Sequence, residues 1–211
     1  MSIDDTLLTP DNHALVLIDH QYLQLLSVRP HPVEQVVSNT VITAKGAKIF
    51  GVPTLFTTAF AERQELVQEI QAVDPDQVPI DRTGLNSWDD QRVVDWVKRT
   101  GKKKLVLAGL WTEVCLAMPV LSLLAEGHEV YIVTDASGGS SAEAHERAVQ
   151  RMVQAGARPI TALAYISELQ RDWKHESTAQ DVVNLVVEAG TTAAQGFRWV
   201  WQLTGLKEGT R

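Results

Sequence analysis

Ala14-Leu15-Val16-Leu17-Ile18-Asp19 is an unbroken run of apolar residues that ends on a carboxylate. A strand with one face in water alternates apolar and polar residues. A continuous run bounded by polar residues fits a strand covered on both faces. The same kind of run returns at Val52-Pro53-Thr54-Leu55-Phe56-Thr57, at Leu105-Val106-Leu107-Ala108, at Glu129-Val130-Tyr131-Ile132-Val133, and from about Arg158 to Leu163. Between these runs lie longer amphipathic stretches: about Pro32 to Phe50, residues 63–72, 89–100, about Glu113 to Glu126, and 141–155. Gly51, Gly101, Gly127 and Gly156 close four of them, as expected of helix C-terminal stops. Strands alternating with helices of this length predict an α/β fold, a parallel sheet with helices on both faces.

Composition narrows the class. The chain has 211 residues, 45% of them apolar, which is enough for one α/β domain with a full core. Its formal charge is −7. Its only basic runs, Lys98-Arg99 and Lys102-Lys103-Lys104, flank a turn before a strand and read as a solvated loop. Neither feature fits a nucleic-acid surface, which needs clustered cations. No apolar run approaches the ~18 residues that span a membrane. The start, Met1-Ser2-Ile3-Asp4-Asp5, is acidic and lacks the basic, then apolar pattern of a secretory signal, so a cytoplasmic location is expected. The single cysteine, Cys115, allows neither an intramolecular disulfide nor a cysteine-based metal site.

The chain divides into a domain over residues 1–175 and a helical C-terminal extension over 176–211. The extension holds two amphipathic segments, 178–190 and 194–204, carrying Phe197, Trp199 and Trp201. Aromatic residues beyond a complete sheet domain fit packing against the chain's own core or a contact between subunits; the subunit contact is favoured, hence a homo-oligomer.

In an open parallel sheet, ligands bind beyond the carboxyl ends of the strands. Asp19 follows the first strand, Cys115 follows the third at the start of a helix, and Arg82 lies in the Pro/Gly-rich loop between them. A thiol at a helix N-terminus is expected to have a lowered pKa, lowered further by a nearby cation. A carboxylate could take its proton, and backbone N–H groups at the turn could hold an oxyanion. Each residue also has a structural reading: Asp19 as a loop cap, Arg82 as a surface ion-pair partner, Trp88 and Trp111 as core. His20 fits an acid–base group or a structural hydrogen bond.

Three blocks taken together resemble a known family. Leu17-Ile18-Asp19-His20-Gln21, Arg82-Thr83-Gly84-Leu85-Asn86-Ser87-Trp88-Asp89 and Ala108-Gly109-Leu110-Trp111-Thr112-Glu113-Val114-Cys115 resemble the isochorismatase-like hydrolase superfamily, and its YcaC-type subgroup in particular. Val133-Thr134-Asp135-Ala136-Ser137-Gly138 and Glu168-Leu169-Gln170-Arg171-Asp172-Trp173 match that subgroup as well, so the resemblance runs over roughly residues 8–175.

The resemblance implies a three-layer α/β/α sandwich with a mainly parallel, Rossmann-like central sheet. It also implies a catalytic triad of Asp19, Cys115 and, where the family usually has lysine, Arg82. Arginine stays charged and cannot shuttle a proton, so its role should be electrostatic. A non-proline cis peptide is implied between Leu110 and Trp111, aiming the N–H groups of Trp111 and Cys115 into an oxyanion hole.

The metal-binding branch of the superfamily carries an Asp-x-His motif after the second strand. Here that region reads Thr57-Thr58-Ala59-Phe60-Ala61-Glu62-Arg63, so neither metal nor other cofactor is expected. A nucleophilic cysteine favours hydrolysis of an amide-type C–N bond of a small molecule, in a pocket lined by Trp88, Trp111, Phe60 and Tyr22. The alternatives are a redox- or electrophile-responsive thiol protein and an inactive oligomeric binding module.

Overall fold

The computed structural model describes residues 6–190 and 192–206. The acidic start, Met1–Asp5, and the last five residues of the extension, 207–211, lie outside the described residues. Six strands form one sheet: β1 (His13–Ile18), β2 (Thr54–Ala59), β3 (Ile80–Arg82), β4 (Lys104–Gly109), β5 (Glu129–Val133) and β6 (Arg158–Ile160). Their order is β3-β2-β1-β4-β5-β6, and every pairing is parallel. The helices are α1 (Tyr22–Leu26), α2 (Val33–Ile49), α3 (Gln68–Gln71), α4 (Gln91–Thr100), α5 (Ala117–Ala125), α6 (Ala142–Gln154), α7 (Ala162–Gln170), α8 (Glu176–Glu188) and α9 (Thr192–Thr204).

Strand alternation builds two cores from one sheet. Leu15, Leu17, Val106 and Ala108 face one side, under Ile42 of α2, Tyr165 and Ile166 of α7 and Leu185 of α8. Ala14, Val16, Ile18, Leu105 and Leu107 face the other, under Val93 of α4, Val120 and Leu123 of α5 and Met152 of α6. Every residue of β1 and β4 is buried, the physical reason their sequences do not alternate. The result is the expected three-layer sandwich.

Two elements differ from the sequence reading. The loop after Pro79 contains a short strand, β3, whose three residues are too few to show a period; it pairs Ala59 with Arg82. The last strand stops at Ile160, and α7 begins at Ala162, capped by the Thr161 side chain, which accepts from the Ala164 N–H. Its buried positions Ala162, Tyr165, Ile166 and Leu169 have helical spacing. That signal was legible once the strand was cut at the Thr161 cap.

Helix α2 lies so close to α7 that a β-carbon on Gly46 would sit 2.4 Å from the Ile166 γ2 methyl. Alanine normally improves a helix by about 1 kcal/mol over glycine. Here the methyl of a stiff β-branched side chain would have to move, so Gly46→Ala is expected to destabilise the protein by about 1–2 kcal/mol net. Chemical denaturation would measure this, and a stabilised variant would contradict the packing.

The extension is helical. Helix α8 packs its Val182, Leu185 and Val186 into the core beside α2. Helix α9 lies on α8, with Phe197 set against Trp173 and Trp201 at ring distances of 6.3 and 6.2 Å. Its outer side leaves Trp199, Val200 and Leu203 exposed.

Candidate active site

From β1 the chain moves outward through β2 to β3, then returns to place β4 on the other side of β1 and moves outward the opposite way. The topological switch therefore falls between the carboxyl ends of β1 and β4, the crevice where open parallel sheets bind ligands. Asp19 leaves β1 there and Gly109 leaves β4. The two backbones approach closely: Leu110 N–H donates to the Ile18 carbonyl at 3.0 Å, and a β-carbon on Gly109 would lie 2.9 Å from the Ile18 β-carbon. Only glycine permits that approach.

Asp19 adopts a left-handed backbone, φ +57°, which costs a non-glycine residue roughly 1–2 kcal/mol. Its N–H donates to the Thr57 carbonyl, and its own carbonyl accepts from Gln21 N–H. Gln21 ties the bend to the end of β2: its side chain accepts from the Ala59 N–H at 2.8 Å and donates to the Ala59 and Gln64 carbonyls. The fully buried Asp19 carboxylate accepts from Thr57 Oγ1 at 3.0 Å and from Arg82 Nη2 at 2.6 Å. Its charge is close enough to act on the Cys115 thiol.

Arg82, at the end of β3, is 5% exposed and spends its other terminal nitrogen on the Gly84 carbonyl. Asp19, Arg82 and Cys115 are thus brought together from the ends of three strand-to-loop turns. Arg82 is committed to Asp19 and to the backbone, which is the electrostatic role its chemistry requires.

The expectation of an acidified thiol is corrected. Cys115 is the fourth residue of a π-helical turn, Thr112–Leu116, that precedes α5, so it is not at a free helix N-terminus. It is 6% exposed, and burial together with the adjacent Asp19 charge pushes its pKa up to about 12, against the smaller opposing pull of Arg82. Burial likewise raises Asp19 above the ordinary carboxylate range, opposed first by Arg82 and then by the hydrogen bond from Thr57. At rest the thiol is neutral, beside a carboxylate with an enhanced appetite for a proton.

The Leu110–Trp111 peptide is cis. Among the described residues the Trp111 N–H has no acceptor, while the Trp111 indole N–H donates to Gln24 O and Ser27 Oγ, each at 3.1 Å. Ser137 supports the turn from β5, accepting from the Gly109 N–H at 3.1 Å.

Tyr22, at the start of α1, and Phe60, just past β2, are partly exposed at this same edge of the sheet. Phe60 N–H donates to the Arg82 carbonyl, and Arg63 lies over its ring at 5.5 Å.

Trp88 does not join them. Its ring is in the core, edge-on to His128, and its indole N–H donates to Glu126 Oε1 at 2.7 Å. Glu126 is at the far end of α5, roughly 15 Å from Cys115 at 1.5 Å per helical residue. Trp88 is therefore corrected to a packing residue, because its ring is buried and its one polar atom is spent on Glu126.

His20 takes its structural reading: fully buried, its Nε2 hydrogen-bonds the Ala136 carbonyl at 2.9 Å, and burial lowers its pKa to about 4. Among the described residues no group of three or more His, Cys, Asp or Glu could hold a metal ion, and no helix is long and apolar enough to cross a membrane. Sequence reasoning missed Thr57. Its contact with Asp19 arises from the β1–β2 register, in which Ile18 is level with Thr57.

Comparison with known proteins agrees with this geometry. The isochorismatase domain model matches residues 13–163. A curated relative from Escherichia coli (strain K12), named "Probable hydrolase YcaC", is 40% identical over 172 residues, 80% of this chain and 83% of the relative. The crystal structure of the E. coli YcaC gene product, described as an octameric hydrolase of unknown specificity, superposes with a TM-score of 0.86 at 35% identity over 94% of this chain and 97% of that one. YcaC from Pseudomonas aeruginosa, with hexane-2,5-diol and covalent acrylamide, superposes with a TM-score of 0.78 at 35% identity, over 90% and 100% of the two chains. With the fold, the switch-point crevice and these relatives in agreement, the chain belongs to the isochorismatase-like hydrolase family.

Proposed function

We propose that the protein is a metal-independent cysteine hydrolase that cleaves an amide-type C–N bond of a small molecule through a Cys115 thioester. The observation that carries this reading is the buried Asp19 carboxylate, held by Arg82 at 2.6 Å, beside the buried Cys115 thiol at the switch-point crevice. Because the resting thiol is neutral, proton transfer and attack go together. Asp19 takes the thiol proton as Sγ bonds to the carbonyl carbon, and the oxyanion is held by the Trp111 and Cys115 N–H groups. The C–N bond then breaks, Asp19 delivers its proton to the departing amine, and the thioester remains. Water, deprotonated by Asp19, attacks that thioester; the acid leaves and the proton returns to Cys115. Arg82 keeps Asp19 ionised between steps.

Arg82 gives one N–H of each terminal nitrogen to Asp19 and to the Gly84 carbonyl, so its charge serves first to hold the base. With Tyr22, Phe60 and Trp111 at the edge, a small neutral amide is the substrate class the site suits. Covalent acrylamide in the Pseudomonas relative supports a soft nucleophile of this reach. The reading is tested by incubating the protein with a panel of small neutral amides and esters and measuring intact mass. Acylation of Cys115 supports it; products released with no acyl adduct on a trapped enzyme would sink it.

The exposed Trp199, Val200 and Leu203 of α9 form the second part of the reading, a contact between subunits, in line with the octameric relative. Since α8 lies within the core while α9 packs on its outer side through Ala193 and Phe197, ending the chain at Gly190 is expected to lower the oligomeric order while leaving a folded protomer. Light scattering coupled to size exclusion measures this, and an unchanged assembly would place the contact elsewhere.

A further inference from the structure

The turn that carries Cys115 is clamped by residues with no assigned role. Thr112, its first residue, is fully buried; its N–H donates to the Gly138 carbonyl at 3.0 Å, and its Oγ1 lies 2.9 Å from His145 Nδ1. His145 is buried in the first turns of α6 and meets His31 edge-on, with ring centroids 5.4 Å apart. His31 arrives on the segment after α1, where Arg29 and Gly139 exchange two backbone hydrogen bonds of 2.8 Å. Glu113, the next residue of the turn, accepts from the Ser140 N–H at 2.9 Å and from Ser140 Oγ at 2.6 Å. The fit leaves no slack: a β-carbon on Gly139 would lie 2.5 Å from Glu113 Oε2 and 2.9 Å from the His145 backbone nitrogen.

We propose that His145 is a positioning residue for the nucleophile: through Thr112 it fixes the 112–116 turn so that Cys115 Sγ faces Asp19. This rests on the reading of Cys115 as nucleophile. Among the described residues the Thr112–His145 hydrogen bond is the one side-chain link from the buried start of the turn to α6, while the other ties run through backbone or through Glu113 at its rim. Burial, then the facing His31, lowers the His145 pKa against the pull of Glu113 and Glu146, so the ring is neutral at neutral pH and exchanges one proton-sharing contact with the hydroxyl. A nucleophile displaced by a fraction of an ångström loses rate far out of proportion to the stability lost.

Acrylamide provides a probe that needs no knowledge of the substrate, because Cys115 is the only cysteine and its adduct is read by intact mass. His145→Leu and Thr112→Val are each expected to slow adduct formation about ten- to a hundredfold, and the double variant is expected to be no slower than the slower single. His145→Asn, which places an amide atom near the Nδ1 position, and Thr112→Ser, which keeps the hydroxyl, are expected to restore the rate to within a few fold. Chemical denaturation shows that each variant is folded; should His145→Leu not fold, the Thr112→Val and Thr112→Ser pair reads the same bond. Single variants at the native rate, multiplicative slowing in the double variant, or no rescue by Asn and Ser would overturn the proposal. A native protein that forms no adduct at all would instead overturn the Cys115 reading on which it stands.

Discussion

Cys115→Ala is expected to abolish turnover of any amide substrate, by a factor of about 10³ or more, with the fold retained. The side chain is small, and it packs among Ile18, Leu107 and Leu116 in a core that tolerates the loss of one sulfur. Steady-state rates on the best amide from the panel, with intact mass as a second readout, measure this; an active Cys115→Ala enzyme would sink the mechanism.

Asp19 needs a careful substitution. Removing the carboxylate with Asp19→Ala strands the Arg82 guanidinium in a site where it is 5% exposed. Leaving a buried charge without its partner costs about 3–5 kcal/mol, so the alanine variant would confuse loss of catalysis with loss of fold. Asp19→Asn also removes the charge but keeps a hydrogen-bonding group for Arg82 and Thr57, so it should cost less stability than alanine; it cannot take a proton and is expected to lose activity to a similar degree as Cys115→Ala. The acid side of the pH–rate profile follows from the same group. Activity needs ionised Asp19, and burial raises its pKa above the ordinary carboxylate value, so the rate should fall with acid at a pH higher than a surface aspartate would set.

The second large effect is on stability. His13 and His20 are fully buried, and burial lowers each to a pKa of about 4. His13 bridges the Thr9 carbonyl and the Tyr165 hydroxyl; His20 bonds the Ala136 carbonyl. Above pH ~6.5 both are neutral in the folded and the unfolded chain, and neither favours unfolding. As pH falls from there toward 4, the unfolded chain takes up two protons that the native state refuses. Each site then costs up to about 3 kcal/mol of stability. A protein with about 5–15 kcal/mol in hand should feel this strongly. Between pH 7.5 and 4.5 these two sites are expected to cost about 5 kcal/mol, against the opposite contribution of the raised Asp19 and Asp135. Denaturant titrations at the two pH values are expected to show a smaller loss in His13→Gln and His20→Gln than in the native chain, and variants that keep the native pH dependence would mean that these histidines titrate normally.

Much of this protein is determined by its sequence alone. Runs such as Ala14–Ile18 and Leu105–Ala108 must be buried on both sides, and that requirement, with helices between them, leaves little choice but a parallel sheet in a three-layer sandwich. Strand ends then locate the chemistry, because Asp19 and Cys115 follow their strands directly. The tertiary structure decided what local pattern cannot carry. Arg82 reaches Asp19 only because β3, too short to show a period, pairs with β2 one strand away from β1. Trp88 was drawn to the site by its neighbours in sequence and removed from it by burial and its bond to Glu126. The state of the thiol was decided by burial and by Asp19, both set by residues far apart in the chain. A helix start read from sequence suggested an acidic cysteine, but desolvation and an adjacent negative charge outweigh a dipole that the π-helical turn does not aim at the sulfur.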